Sequence, residues 1–264
     1  MLTRPNPQFG PIRLAGIDLA WGERMPDGVC AIEVEGEHAR LLSIGLTRGD
    51  PELISWVRQH VGEGDAFLAI DAPIVCINPT GARPVDRQSH VEFGRYHAGS
   101  HPANTGKCPR PRRIARSFAS LGFRVGWDQG DGTAPGRLMS EVYPHPAIVR
   151  LFGLEERIPY KKGAVTERRR EFRRYQRLLR KSLDDLFPRL ELNKAAAGLL
   201  TLGWTKDVED QTDGLLCALI AYWHWMHRGA QSQVLGDLAT GFILVPRPEP
   251  PITSQSQSPR RRSR

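Results

Sequence analysis

Four aspartates carry the most chemistry that can be read from this chain. Asp18 ends the apolar run Ile12-Arg13-Leu14-Ala15-Gly16-Ile17, and Asp71 ends Ala66-Phe67-Leu68-Ala69-Ile70. Asp210 and Asp213 stand three residues apart in VEDQTDGLLCALIAYWHW, residues 208–225, ahead of a long apolar stretch. Acids at the carboxyl ends of strands sit where open α/β sheets bind ligands, and helical residues three apart share a face. Carboxylates gathered in this way repel one another unless a cation lies between them. Oxygen donors favour Mg²⁺ or Mn²⁺, which keep water and substrate phosphate in their coordination shell. A pair of such ions can stabilise the attacking and leaving oxygens of a phosphodiester. Glu141, near the end of Leu138–Tyr143, is either another ligand, an acid supporting the ligands, or the partner of a nearby arginine.

Ordinary structure explains each acid taken alone. An Asp after a strand is commonly a turn or cap residue. With Asp210 as N-cap, Asp213 falls at the third helical position, where both would satisfy free amides and complement the helix dipole. The parallel endings Gly16-Ile17-Asp18 and Ala69-Ile70-Asp71 shift the balance towards a shared metal site, and the ligand and cap readings of Asp210 and Asp213 are compatible.

The surrounding pattern predicts the elements that must position these groups. Residues 12–20, 29–34 and 39–46 read as three strands joined by short turns, hence an antiparallel meander. Pro51 to Val61 places Leu53, Ile54, Val57 and Val61 on one helical face. Residues 66–71 form a continuous apolar run suited to a strand buried on both faces. Residues 74–136, rich in Pro, Gly, Arg and His, read as an insertion, partly loop, with a helix only at Ile114 to Phe123. A fifth strand covers Leu138 to Tyr143, and Pro146 to Phe152 is a short helix. Val165 to Leu186 is strongly amphipathic: Phe172, Tyr175, Leu179, Leu183 and Leu186 face one way and seven Arg or Lys residues the other. Helices at Ala195 to Leu202 and about 209–228, and a last short strand from Gly241 to Val245, complete the chain. The order is β-β-β-α-β-insertion-β-α-α, which is that of a ribonuclease H-like α/β fold: a mixed five-stranded sheet with an antiparallel three-stranded edge, flanked by helices. One domain is expected over residues 10–246, and a disordered basic tail over 247–264, where Pro, Ser, Gln and Arg replace apolar periodicity.

Composition narrows the function classes. A formal net charge of +8 favours anionic partners, nucleic acid among them. The four cysteines, Cys30, Cys76, Cys108 and Cys217, have no CxxC spacing, which argues against a disulfide framework. The amino-terminal stretch lacks a signal-peptide core, and Leu215 to Met226 is far short of the ~20 residues a membrane span needs. A cytoplasmic location is therefore expected.

The motifs GIDLAWG (16–22), AIDAP (69–73), EVYPHPA (141–147), PYKKG (159–163) and EDQTDGLLCALIA (209–221) resemble, in order, a bacterial family numbered 429 among domains of unknown function. The resemblance runs from about residue 12 to 246. It implies a predicted nuclease of ribonuclease H-like fold with Asp18, Asp71, Asp210 and Asp213 as the metal-binding set. The D-x-x-D helix start is also similar to that of Holliday-junction resolvases. Gly214 stands where Ala is common in the family, and Gly weakens a helix interior.

Basic residues near these motifs are candidates for substrate contact. Arg83 and Arg87 have the geometry to grip phosphate oxygens, or else sit in a solvated loop with Asp86. Lys161 and Lys162 lie just past the Glu141 strand, as backbone contacts or a solvated turn. The arginines of 165–186 either meet nucleic acid or form a solvated face whose stems cover apolar surface. His90, His97, His101 and Cys108 fit no usual zinc spacing. The leading expectation is a Mg²⁺- or Mn²⁺-dependent nuclease acting on DNA or RNA. The alternatives are an actin-like nucleotide-binding phosphotransferase, against which the bulky Trp21-Gly22-Glu23-Arg24 turn argues, and a non-catalytic nucleic-acid-binding or adaptor protein.

Overall fold

The computed structural model describes residues 11–127 and 136–248. Nearly all of the expected tail, 249–264, lies outside them. Among these residues seven strands make one mixed sheet: β1 (Ile12–Asp18), β2 (Asp27–Glu35), β3 (His38–Thr47), β4 (Ala66–Ile70), β5 (Arg124–Val125), β6 (Arg137–Glu141) and β7 (Leu190–Glu191), in the order β5-β6-β4-β1-β2-β3-β7. β1, β2 and β3 run antiparallel as the meander predicted, while β4, β6 and β5 continue parallel to β1. The expected five strands are present and two-residue strands extend both edges, so the sheet has seven members. The two extra strands are too short to leave a periodic signal. β8 (Ser232–Asp237) and β9 (Gly241–Pro246) form a separate hairpin, bridged to the main sheet where Val142 meets Leu244.

Alternation along the strands divides the core in two. In β4, Phe67 and Ala69 face one core, whereas Ala66, Leu68 and Ile70 face the other. This is why that run is apolar throughout. α1 (Gly49–Val61) and α3 (Pro109–Ala119) pack on one face through Leu53, Val57, Ile114 and Phe118. The other face carries α4 (Pro144–Phe152), α5 (Val165–Leu186), α6 (Lys194–Leu199) and the long α7 (Lys206–Met226). α7 is enclosed almost all round, and from Val208 to His224 only Gln211 escapes burial. No helix among the described residues is long and apolar enough to cross a membrane.

The insertion holds more structure than its composition suggests. Besides α3 it contains α2 (Pro84–Phe93), followed by a single 3₁₀ turn, Gly94–Tyr96. Each helix begins with a proline at its first turn, where the missing amide costs nothing. Each is anchored by a buried arginine rather than by an apolar stripe alone. Arg110, 1% exposed, donates to both Asp27 oxygens at 2.7 Å and to Asp50 Oδ1 at 2.8 Å. It also donates to the Ala20 carbonyl at 2.6 Å. Because Asp27 accepts from the Ala20 amide, this network fixes the turn that leaves β1 immediately after Asp18.

Candidate active site

Backbone proximity sets where the four aspartates sit. Where α7 crosses β1 and β2, three glycines let main chain touch main chain. A Cβ on Gly16 would lie 2.0 Å from the Ala218 amide nitrogen, and one on Gly28 would lie 1.8 Å from the Asp210 carbonyl oxygen. A Cβ on Gly214 would lie 2.7 Å from the Gly28 carbonyl carbon. Gly214 therefore has a packing reason that outweighs its cost to the helix. With no side chains between them, α7 brings Asp210 and Asp213 up to the carboxyl end of β1. Asp71 follows β4, next to β1, and its amide donates to the Ile17 carbonyl at 2.8 Å.

α7 begins earlier than expected. Thr205 is its N-cap, accepting from the Val208 amide at 3.2 Å, so Asp210 and Asp213 lie inside the helix and cap nothing. Glu209 is a structural group: it accepts from Trp204 Nε1 and Lys206 Nζ, both at 2.7 Å.

The centre of the site is a cation supplied by the chain itself. Lys161 Nζ lies 2.7 Å from Asp213 Oδ2, and Tyr160 donates its hydroxyl proton to Asp213 Oδ1 at 2.8 Å. Tyr160 is fully buried and stacks on Tyr175 of α5 at 4.7 Å between centroids, so Asp213 is held rigidly from behind. Burial alone would lower Lys161, but Asp213, Asp18 and Asp71 outweigh it and hold the ammonium well above its usual range. The aspartates remain undercompensated. Asp18 is pushed well above the carboxylate range by burial, Lys161 opposing and Asp213, Asp71 and Asp210 adding to the rise. Asp71 is pushed up to about 7 by burial and Asp213, against the pull of Lys161 and a hydrogen bond with Asp18. Burial raises Asp210 as well, although Lys206 Nζ lies 2.7 Å from its Oδ1. Its other oxygen, Oδ2, is buried with no hydrogen-bond partner among the described residues. Among the described residues no three His, Cys, Asp or Glu side chains are arranged as a metal-binding group. Asp213 is turned onto Tyr160 and Lys161, and this ammonium is the counter-ion that Asp213, Asp18 and Asp71 share, whereas Asp210 takes Lys206.

The raised Asp71 has a consequence for stability. Its folded value, about 7, exceeds the ordinary 3.8, so the folded state holds this proton more tightly than the unfolded chain. The associated stability is fully present below 3.8 and is lost as pH rises through about 7. In metal-free buffer the Asp71→Asn protein should therefore gain thermal midpoint relative to the wild type between pH 4 and 7.5. A constant difference across that range would show that Asp71 is not buried against other charge.

Glu141 and Arg83 do not join the aspartates as ligand and phosphate grip. Arg83 is 1% exposed, and donates to Glu141 Oε2 and Oε1 at 2.7 and 2.6 Å and to Asp86 Oδ1 at 2.9 Å. This triad ties α2 to the end of β6, and of the alternatives for Glu141 the structure shows the arginine partner. Arg83→Met would strand two buried carboxylates, which costs about 3–5 kcal/mol. A urea midpoint within error of wild type would contradict that. Arg87 is exposed and donates to the Ala82 carbonyl, and Lys162 is exposed next to Lys161. The basic residues of α5 from Arg169 to Lys181 are exposed, while Phe172, Tyr175, Leu179 and Leu183 are buried.

Two things were hidden from sequence reasoning: the placing of Lys161 among the acids, and the glycine contacts. The PYKKG motif was a signal for the first, though charge alone does not say whether a lysine faces solvent or carboxylates. A family model described as "Protein of unknown function (DUF429)" matches residues 16–239. No curated protein and no solved structure gave a match.

Proposed function

The chain belongs to the DUF429 family, and we propose that it is a divalent-metal-dependent nuclease of ribonuclease H-like fold, with Asp18, Asp71, Asp210 and Asp213 as its acidic centre. The observation that carries this reading is the burial of four aspartates with too little cation: Asp18, Asp71 and Asp213 act on the one Lys161 ammonium, burial leaves Asp18 and Asp71 raised, and Asp210, paired with Lys206 through Oδ1, keeps Oδ2 without a partner among the described residues. The strand order β3-β2-β1-β4-β6, with its antiparallel edge, supports the fold assignment. An all-oxygen donor set that carries excess negative charge suits Mg²⁺ or Mn²⁺. Asp18, Asp71 and Asp210 would hold the ion, with Asp213 beside them. When bound, it would supply charge neutralisation at the phosphate and a more acidic water. The chain does the positioning. Tyr160 and Lys161 fix the Asp213 carboxylate, the Arg110 network holds the turn after Asp18, and the glycine crossing sets the spacing of the two halves. Lys161, its side chain 28% exposed, can offer a donor to a phosphoryl oxygen while it keeps Asp213.

The Lys161–Asp213 pair also favours one rival, a nucleic-acid-binding protein that does not cleave, in which the ammonium is the permanent counter-ion. Labelled single-stranded, duplex, hybrid and branched substrates incubated with Mg²⁺ or Mn²⁺ separate the two. Metal-dependent cleavage supports the nuclease. Salt-dependent binding without cleavage of any substrate overturns it in favour of the rival.

A further inference from the structure

Next to the acidic centre, three segments bring cationic and imidazole side chains into one corner. α4 brings His145, whose ring lies 5.5 Å from Tyr143 and 5.8 Å from Tyr160. The loop after the 3₁₀ turn brings His101; Tyr143 Oη donates to the Gly99 carbonyl there at 3.4 Å. The segment before α5 brings Arg157 and Lys162, and is held to that turn by the Arg157 amide donating to the Tyr96 carbonyl at 2.9 Å. Burial holds His145 well below the usual imidazole range, with Lys161, Arg157, His101 and Lys162 adding to the effect. His101 is lowered by burial and then by Lys162 and Arg157. The corner adjoins the acids, since Tyr160, against which the His145 ring lies, donates to Asp213.

A solvated charged face accounts for Arg157 and Lys162 alone. It does not account for His145, which is 7% exposed and has a buried Nδ1 with no hydrogen-bond partner among the described residues. A buried polar atom left this way is destabilising. An oxyanion would satisfy that nitrogen in its protonated tautomer and relieve the repulsion among the cations. We propose that Arg157, Lys162, His101 and His145 form a binding site for a phosphate group of the substrate, beside the aspartates. Arg157 and Arg174 line one open groove of about 820 Å³, together with Glu155, Glu156 and Glu171. Arg157 thus stands both in the corner and in the groove that reaches Arg174 of α5.

The assignment of this phosphate to a nucleic-acid substrate rests on the nuclease reading; the anion site itself does not. Inorganic phosphate titrated into the full chain in the presence of a chelator, followed by calorimetry, tests it without catalysis. The wild type should bind saturably. Arg157→Gln with Lys162→Gln should weaken binding at least about tenfold, as loss of charge-assisted contacts does, and Asp71→Asn should leave it unchanged or tighter. No saturable binding, or equal affinity in the double variant, overturns the proposal. Phosphate binding without cleavage of any nucleic acid would fell the nuclease reading and leave the site standing. Cleavage indifferent to added phosphate and to the double variant would do the reverse.

Discussion

Asp18→Asn and Asp71→Asn should each reduce Mn²⁺- or Mg²⁺-dependent cleavage by about 10³-fold. A bound divalent ion contributes several kcal/mol to stabilising charge at a reacting phosphate, and each 1.4 kcal/mol or so is about tenfold in rate. Neither loss would come from unfolding. Asp71 is a raised, strained charge, so its neutral isostere should hold the fold at least as well at neutral pH. Lower activity together with equal or higher thermal midpoint is the signature of a group kept for chemistry. The measurement is single-turnover cleavage of an end-labelled substrate alongside a thermal melt of the same preparations. Cleavage undiminished in either variant would sink the assigned mechanism, whatever nuclease activity the wild type shows.

Gly28→Ala should be among the most damaging single substitutions in the chain. The added Cβ would sit 1.8 Å from the Asp210 carbonyl oxygen, and it meets backbone, which has no rotamer to change. Overpacking of this kind costs about 1–3 kcal/mol and more when nothing can yield; the expected loss here is about 3 kcal/mol. Gly45→Ala is the matched control, in β3 with no described residue within 4 Å of the new atom, and should stay within about 0.5 kcal/mol of wild type. Urea unfolding midpoints decide between them. Because the contact is with Asp210 itself, Gly28→Ala protein that remains folded should also lose cleavage, whereas Gly45→Ala protein should not. Equal stability of the two variants would show that α7 can shift away from the sheet at no cost.

What could be read in advance follows from how each element is held. β1 and β4 announced themselves because a strand buried on both faces must be apolar throughout and must end where its acid begins. α5 did so because its two faces differ in every turn. α2 escaped because its fixed points are Arg83 and Asp86, buried charges that resemble loop residues when read singly. α3 was read only in its later half, since Pro109-Arg110-Pro111 looks like a turn until Arg110 is seen to end on Asp27. Thr205 was missed as the cap of α7 because Lys206 and Asp207 precede the apolar run and give no period. In the candidate site, the types and order of the four aspartates were legible. The ammonium among them was not, and for Glu141 the arginine partner stood as one of three readings, because both outcomes depend on contacts between segments distant in the chain.

The enclosure of α7 bears on how this protein opens. Its amides from Val208 to His224 are covered by the sheet on one side and by the helical layer on the other, so no small fluctuation exposes them to solvent. In hydrogen exchange they should belong to the slowest cooperative unit, together with the amides of β1 and β2 against which the helix lies. Asp18, Asp210 and Asp213 all ride on that unit. Partial unfolding at the sheet edges, at β5 or β7, would leave these three acids in register, and they would separate only when the whole chain unfolds.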